Sequence, residues 1–170
     1  VDAFVEERKG GQITLAFPSG GATENLMMAA VFTNGETTID NCALEPEIDD
    51  LANFLNAMGA KISGIGTKTL KIVGVKELHE VTYEAIGDRI EAATYLMAAL
   101  ATNSEIEILG VNPSHLDFVI NMLRDMWAKL ETTENSIKTY PSELVGCIVD
   151  TAPHPGFPTD AQAQLIALCT

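Results

Sequence analysis

The sequence has little positive charge. Ten lysine and arginine residues stand against 24 aspartate and glutamate residues, which gives a formal net charge of −14. The ten cations are scattered along the chain, whereas nucleic-acid-binding proteins cluster theirs against the phosphate backbone, so we expect no nucleic-acid partner. An anionic ligand would have to be bound by helix N-termini and backbone N–H groups, or by cations from outside the chain.

Long apolar runs and cysteine clusters are missing as well. No apolar stretch approaches the roughly 18 residues that a membrane span needs, and no basic leader precedes a short apolar core, so no membrane association is expected. The three cysteines, Cys42, Cys147 and Cys169, contain no CxxC pair and are odd in number. This cysteine content favours a reduced, cytoplasmic protein.

An internal repeat of about seventy residues is the main positive feature. The stretch "LMMAAVFTNGETTIDN" (26–41) matches "YLMAALATNSEIEILG" (95–110), and "FLNAMGAKI" (54–62) matches "MLRDMWAKL" (122–130). Each copy is predicted to contain a small-residue helix, a strand, an amphipathic helix and a hairpin. Apolar helix faces that alternate with strands predict a mixed α/β architecture.

The element boundaries follow from caps and apolar periodicity. In the first copy we predict helices over 22–33 and 46–58, a strand over 36–43 and a hairpin over 61–75. In the second we predict a helix from Asp88, a strand over 104–111, a helix opening at Asn112-Pro113 with an apolar face that includes Trp127, and a hairpin over 129–140. The apolar stretch "VGCIVDT" is predicted as a strand containing Cys147, and a third copy is predicted to begin with a helix at Thr159.

The first candidate site is "PSGGATEN" (18–25), where Ser19 and Gly20 precede a helix. Free backbone N–H groups at a glycine-rich helix start can bind a phosphate. The stretch lacks the lysine and the spacing of a P-loop, so an ordinary turn with a cap is the alternative interpretation.

Two acidic helix starts follow, "EPEIDD" (45–50) and "GDRIE" (87–91). Carboxylates there are favoured by the helix dipole, and Asp88 is expected to act as an N-cap. The role of Glu45 is less settled than that of the other acids, because the proline that follows fixes its backbone. The second stretch also lies between the two repeats, where a domain hinge could be placed.

The stretch "APHPGFPTDAQAQ" (152–164) is the most informative. Its three prolines restrict the backbone ahead of Asp160, as a positioned catalytic carboxylate would require. His154 lies six residues earlier and is a second candidate. The three histidines, His79, His115 and His154, have no metal-ligand spacing, so no metal is expected.

Together these stretches resemble the UDP-N-acetylglucosamine 1-carboxyvinyltransferases, the enolpyruvyl transferases of peptidoglycan synthesis. The resemblance runs from about Gly10 to Thr170 and rests on four motifs: "FPSGGATENLMMAA", "EPEIDDLANFLNAMGAKISGIGT", "DRIEAATYLMAA" and "TAPHPGFPTDAQAQ". It implies inside-out α/β barrel-type domains built from repeated βαβαββ units, incomplete here. The end of the first domain would lie in residues 1–86 and the start of the second in residues 87–170.

The resemblance also implies an activity without a cofactor. Members transfer the enolpyruvyl group of phosphoenolpyruvate to the 3-hydroxyl of UDP-N-acetylglucosamine, the first committed step of peptidoglycan synthesis. Asp160 matches the "FPTD" aspartate that contacts the sugar and is implicated in proton transfer. Ser19 and Gly20 fall where the family binds the diphosphate. The substrate cleft of the family is lined or supported by polar residues, and three of these are matched here by Glu45, Asp88 and His154.

The chain departs from the family in what is missing. The mobile loop with its cysteine or aspartate, an N-terminal lysine-asparagine pair and the C-terminal arginines that bind phosphoenolpyruvate are not found. The remainder of the full-length enzyme is thus an expected partner, and the isolated 170-residue chain is expected to be inactive. One alternative is a truncated, non-catalytic relative that acts as a binding or scaffold protein. A 3-phosphoshikimate 1-carboxyvinyltransferase-like protein is disfavoured by "PHPGFPTD" and "DRIEAATYLMAA".

Overall fold

A computed structural model describes residues 7–170; residues 1–6 of the predicted first domain lie outside it. The chain divides into two compact units, one ending at Ala85 and the other running from Ile86 to Thr170. That they are the end of one enolpyruvyl-transferase-type domain and the start of another stays a prediction.

The first unit packs two helices against a four-stranded mixed sheet. Strand β1 pairs in parallel with β2, β4 pairs antiparallel with both β2 and β3, and the strand order is β1-β2-β4-β3. Alternate residues of β2 and β4, such as Ile39 and Ile72, are buried against the helices. The elements are β1 (Gln12–Thr14), α1 (Gly20–Ala30), β2 (Glu36–Asp40), α2 (Pro46–Ala57), β3 (Lys61–Ser63) and β4 (Thr69–Val73).

The second unit repeats the order of elements from α1 to β4 and continues beyond it. Its three strands are antiparallel in the order β5-β7-β6. The elements are α3 (Arg89–Ala101), β5 (Ile106–Leu109), α4 (Asp117–Asp125), β6 (Lys129–Thr132), β7 (Ser136–Tyr140) and α5 (Gln162–Leu168). Short 3-10 turns, Pro113–Leu116 and Thr159–Ala161, precede α4 and α5. Across residues 7–170, no helix has the length and apolarity that crossing a bilayer requires.

The structure confirms the repeat and the mixed α/β class. The order β2-β4-β3 of the first unit corresponds to β5-β7-β6 of the second. Gly59 follows α2 with a φ of +103°, and Trp127 occupies the same place after α4 with a φ of +71°. A φ in this range is uncommon for a residue with a side chain. Equivalent backbone bonds close both helix ends, Ala60 N to Leu55 O at 3.0 Å and Ala128 N to Leu123 O at 2.9 Å.

Trp127 corrects one prediction. The apolar pattern placed it on the buried face of α4, yet its side chain is 68% exposed. The helix ends at Asp125, and the left-handed backbone at Trp127 takes this residue off the buried face. The other predicted members of that face, Leu116, Val119, Ile120 and Leu123, are buried.

Two strand predictions also need correction. Strand β2 stops at Asp40, because Asn41 has a φ of +59°, so Cys42 lies beyond the strand and is fully buried. The stretch "VGCIVDT" forms no strand: Cys147 lies in irregular backbone, and Ile148 is 98% exposed. An apolar run of this length has no periodicity that distinguishes a strand from a packed coil.

Candidate active site

The start of α1 is an open, uncharged helix N-terminus. Ser19 is the N-cap, and its Oγ accepts a hydrogen bond from Ala22 N at 3.3 Å. A Cβ added at Gly20 or Gly21 would meet no other residue's heavy atom within 4 Å, so space is open beside this turn. No acidic side chain lies in the first turn of α1. The geometry therefore fits the cap interpretation and leaves room for an anion.

Thr23 ties this helix start to the segment before α2. Its buried hydroxyl donates to Ser19 O at 2.8 Å and accepts a hydrogen bond from Ala43 N at 3.1 Å. Only Leu44 separates Ala43 from the "EPEIDD" stretch, so the same side chain holds the start of α1 and the segment that leads into α2. The sequence analysis missed Thr23. The feature that could have indicated its role is a single threonine in the first turn of a helix of small residues.

Glu45 does not use its carboxylate as a cap. It is the N-cap residue of α2, but its side chain makes no capping hydrogen bond. Within residues 7–170, its Oε2 is buried and has no hydrogen-bond partner. A buried carboxylate oxygen without a donor is costly, so this atom is suited to receive one. The acids of the first turn, Glu47 and Asp49, already complement the dipole of α2.

Asp88 acts as the predicted N-cap of α3. Its Oδ1 accepts hydrogen bonds from Ile90 N at 2.7 Å and from Glu91 N at 3.0 Å. Both of these bonds satisfy amides that the helix itself leaves unpaired. The structure thus gives this carboxylate a clear role in helix capping.

Replacing Asp88 tests that role. We expect Asp88→Ala to lower the free energy of unfolding by about 1 kcal/mol, because two helix amides lose their acceptor. Asp88→Asn keeps an acceptor oxygen and should cost much less. Urea unfolding of both variants beside the parent chain measures the difference, and an equal loss in both would contradict the capping role.

The segment before Asp160 is anchored on both sides. Its backbone closes through bonds from Ala152 N to Phe157 O at 3.0 Å and from Gly156 N to Pro153 O at 2.8 Å. Phe157 and Ala161 are fully buried, whereas Asp160 between them is exposed. Core packing therefore holds the backbone on either side of an exposed carboxylate, and the catalytic role of Asp160 stays a prediction.

A pocket of about 60 Å³ lies beside the same loop. His154, His115 and Arg89 line it together with Pro158. Arg89 is only 7% exposed, although it follows the capping Asp88 directly. Sequence reasoning missed this arginine; its signal is its position one turn before Ala92 and Ala93, on the buried stripe of α3.

The structure distributes the predicted residues between its two units. Ser19, Gly20 and Glu45 belong to the first unit, and Asp88, His154 and Asp160 belong to the second. Within the second unit, His154 shares a pocket with the residue after Asp88. No three His, Cys, Asp or Glu side chains in the described range are placed to hold a metal ion.

Known proteins resemble this chain along its whole length. A family model described as EPSP synthase (3-phosphoshikimate 1-carboxyvinyltransferase) matches residues 1–170. UDP-N-acetylglucosamine 1-carboxyvinyltransferase 2 of Clostridium tetani is 51% identical over 171 residues, which are 100% of this chain and 41% of that protein. UDP-N-acetylglucosamine 1-carboxyvinyltransferase of Trichormus variabilis is 51% identical over 164 residues, 95% of this chain and 37% of that protein. The chain thus spans well under half the length of these curated relatives.

Solved structures share the fold. The enolpyruvyl transferase NikO from Streptomyces tendae matches with a TM-score of 0.78 at 22% identity, covering 96% of this chain and 42% of that one. EPSP synthase from Acinetobacter baumannii matches with a TM-score of 0.61 at 20% identity, covering 96% and 37%. These matches confirm the predicted inside-out α/β fold, present here in part. Because the family model matches residues 1–170 and a curated relative is 51% identical along the whole chain, the chain belongs to the EPSP synthase (3-phosphoshikimate 1-carboxyvinyltransferase) family, and its resemblance to the UDP-N-acetylglucosamine 1-carboxyvinyltransferases is confirmed.

Proposed function

We propose that the chain works as a segment of an enolpyruvyl transferase that joins phosphoenolpyruvate to the 3-hydroxyl of UDP-N-acetylglucosamine. The observation that carries this proposal is the 51% identity with a protein named for that activity over the full length of the chain. The structure adds support, because Asp160 is exposed and lies between the buried residues Phe157 and Ala161. In a cell the reaction would take place in the cytoplasm and supply peptidoglycan synthesis.

Asp160 is the proposed proton-transfer group. Addition of a sugar hydroxyl to C2 of phosphoenolpyruvate requires removal of the hydroxyl proton and protonation of C3, and loss of phosphate together with a proton from C3 then restores the double bond. A carboxylate can accept such a proton when it lies within hydrogen-bond reach of the hydroxyl. The buried neighbours Phe157 and Ala161 support this role, because they limit how far Asp160 can move from a productive position.

The start of α1 is the proposed contact for the diphosphate of the nucleotide sugar. Its first turn carries no acid, and the space beside Gly20 and Gly21 is open. The N-termini of the other two long helices are less suitable for binding an anion. Helix α2 begins with acidic side chains, and the first amides of α3 already donate hydrogen bonds to Asp88. Backbone donors at α1 would contact the anion without adding a cation.

Polar residues around these groups are proposed to support the cleft. The Oε2 atom of Glu45, which has no partner within residues 7–170, would accept a hydrogen bond from the substrate or from the rest of the enzyme. His154 and Arg89 would shape the surface beside the Asp160 loop. The chain carries a formal net charge of −14, so the remaining cations that neutralise two anionic substrates would come from the rest of the full-length protein.

A chimera tests the proposal. The segment of the Clostridium tetani relative that aligns with this chain would be replaced by the chain, and phosphate release from phosphoenolpyruvate would be measured. We expect release that depends on UDP-N-acetylglucosamine, within roughly tenfold of the parent relative, because the missing cations and loop come from the host.

Two other outcomes would identify the alternatives. A folded chimera that binds UDP-N-acetylglucosamine without releasing phosphate would indicate the non-catalytic binding or scaffold protein. Release that depends on shikimate 3-phosphate instead would indicate the 3-phosphoshikimate 1-carboxyvinyltransferase-like activity. The isolated 170-residue chain is the matched control, and we expect it to show no transfer.

A further inference from the structure

Two cysteines that are distant in sequence meet in the second unit. Cys147 lies in the irregular segment 141–150, and Cys169 caps the C-terminal end of α5. Both line one groove of about 350 Å³, whose other walls include Val149, Phe157 and Leu165. Cys169 lies near enough to Cys147 to raise the pKa of its thiol. Neither cysteine has a part in the proposed transfer reaction.

Neither thiol lies inside a helix or a strand. A disulfide requires sulfur atoms at about 2 Å and Cα atoms at about 4.4–6.8 Å, so the two thiols would have to approach each other across the groove that both line. Cys169 follows the last residue of α5, where the helix has ended. Cys147 belongs to no helix or strand, and the nearby bond from Val145 N to Met126 O at 3.0 Å keeps its segment against the core.

The two thiols differ in accessibility. Burial raises the pKa of Cys147, and the neighbouring Cys169 raises it further. Cys169 is exposed, whereas Cys147 is half-buried. Because a thiolate must reach its oxidant, the exposed Cys169 is placed to react first and the sheltered Cys147 to react second.

We propose that Cys147 and Cys169 form a reversible disulfide in the presence of a small disulfide oxidant such as oxidised glutathione. The Cys169 thiolate attacks one sulfur of the oxidant, which forms a mixed disulfide and releases one glutathione thiolate. The Cys147 thiol then loses its proton to solvent and attacks the Cys169 sulfur, which releases the second glutathione. Two protein thiols are oxidised, and one disulfide is reduced to two thiols. The new bond closes a loop over residues 148–168, which contains both His154 and Asp160.

Peptide mapping of the 170-residue chain tests this pairing. The reduced chain would be incubated with oxidised glutathione, alkylated with iodoacetamide and cut at aspartates. Cleavage at Asp150 and Asp160 separates the two cysteines, so a disulfide joins two peptides that otherwise appear singly. We expect the Cys147–Cys169 peptide pair to form in most molecules and to disappear after treatment with dithiothreitol. Cys42, fully buried, is the internal control and should be alkylated only after unfolding.

Single variants make the result decisive. In Cys169→Ser the linked pair should vanish and Cys147 should react slowly, and in Cys147→Ala a stable glutathione adduct should remain on Cys169. The proposal is overturned if the wild-type chain carries glutathione on Cys169 while Cys147 can still be alkylated. A Cys169–Cys169 link between two chains, or no reaction at either thiol, would overturn it equally.

Discussion

Asp160→Asn is expected to reduce phosphate release by the chimera by roughly 100-fold or more, the contribution typical of a positioned acid or base. Asparagine keeps the size and hydrogen-bonding capacity of the side chain but cannot accept the proton. Because Asp160 is exposed, the variant should fold as the parent does. Steady-state kinetics should show the loss mainly in kcat, while KM for UDP-N-acetylglucosamine changes less.

Asp150→Asn is the matched control. Asp150 is also exposed, lies ahead of the same loop and carries the same charge, so the change alters net charge equally without touching the proposed site. We expect it to leave kcat within about twofold. Equal losses in the two variants would mean that general electrostatics, and not proton transfer at Asp160, explains the effect.

Phe157→Ala should have the largest effect on stability. Phe157 is fully buried in the core of the second unit, and its ring centroid lies 6.2 Å from that of Phe118. Truncation removes the buried ring and leaves a cavity, which typically costs about 3–5 kcal/mol. Urea unfolding of the 170-residue chain would measure the loss of stability. The fluorescence of Trp127, the single tryptophan of the chain, would report the unfolding of the second unit.

Phe118→Ala provides the comparison. Phe118 belongs to the same ring pair but is 42% exposed, so its removal should cost clearly less than the removal of Phe157. Similar losses for both variants would show that Phe157 does not anchor the loop through burial. The same Phe157→Ala change in the chimera is also expected to lower kcat, because the backbone next to Asp160 loses its fixed point.

The repeat made much of the fold predictable. Matching apolar faces predicted equivalent helices and hairpins in both halves, because each copy must bury the same pattern against its own sheet. Local chemistry predicted several boundaries, including the proline at the start of α2 and the cap at Asp88. Boundaries failed where a single backbone angle decided the outcome, as at Asn41 and Trp127.

Local features of the candidate site were predictable from the sequence, but their arrangement in space was not. The prolines predicted an anchored loop before Asp160, and glycines predicted the open turn at α1. Thr23 and Arg89 were missed, because their roles depend on partners distant in sequence or on burial within the fold. That Cys147 and Cys169 line one groove was hidden for the same reason: an irregular segment carries no periodic signal for what it packs against.

The mass of the native polypeptide tests most directly the claim that this chain works as a segment of a longer transferase. Antibodies raised against the 170-residue chain would detect the protein in lysates of its source, followed by intact mass spectrometry of the captured species. The chain covers 41% of its Clostridium tetani relative, so we expect a polypeptide more than twice as long. A native species of 170 residues would contradict the claim and point to a truncated relative with a binding role.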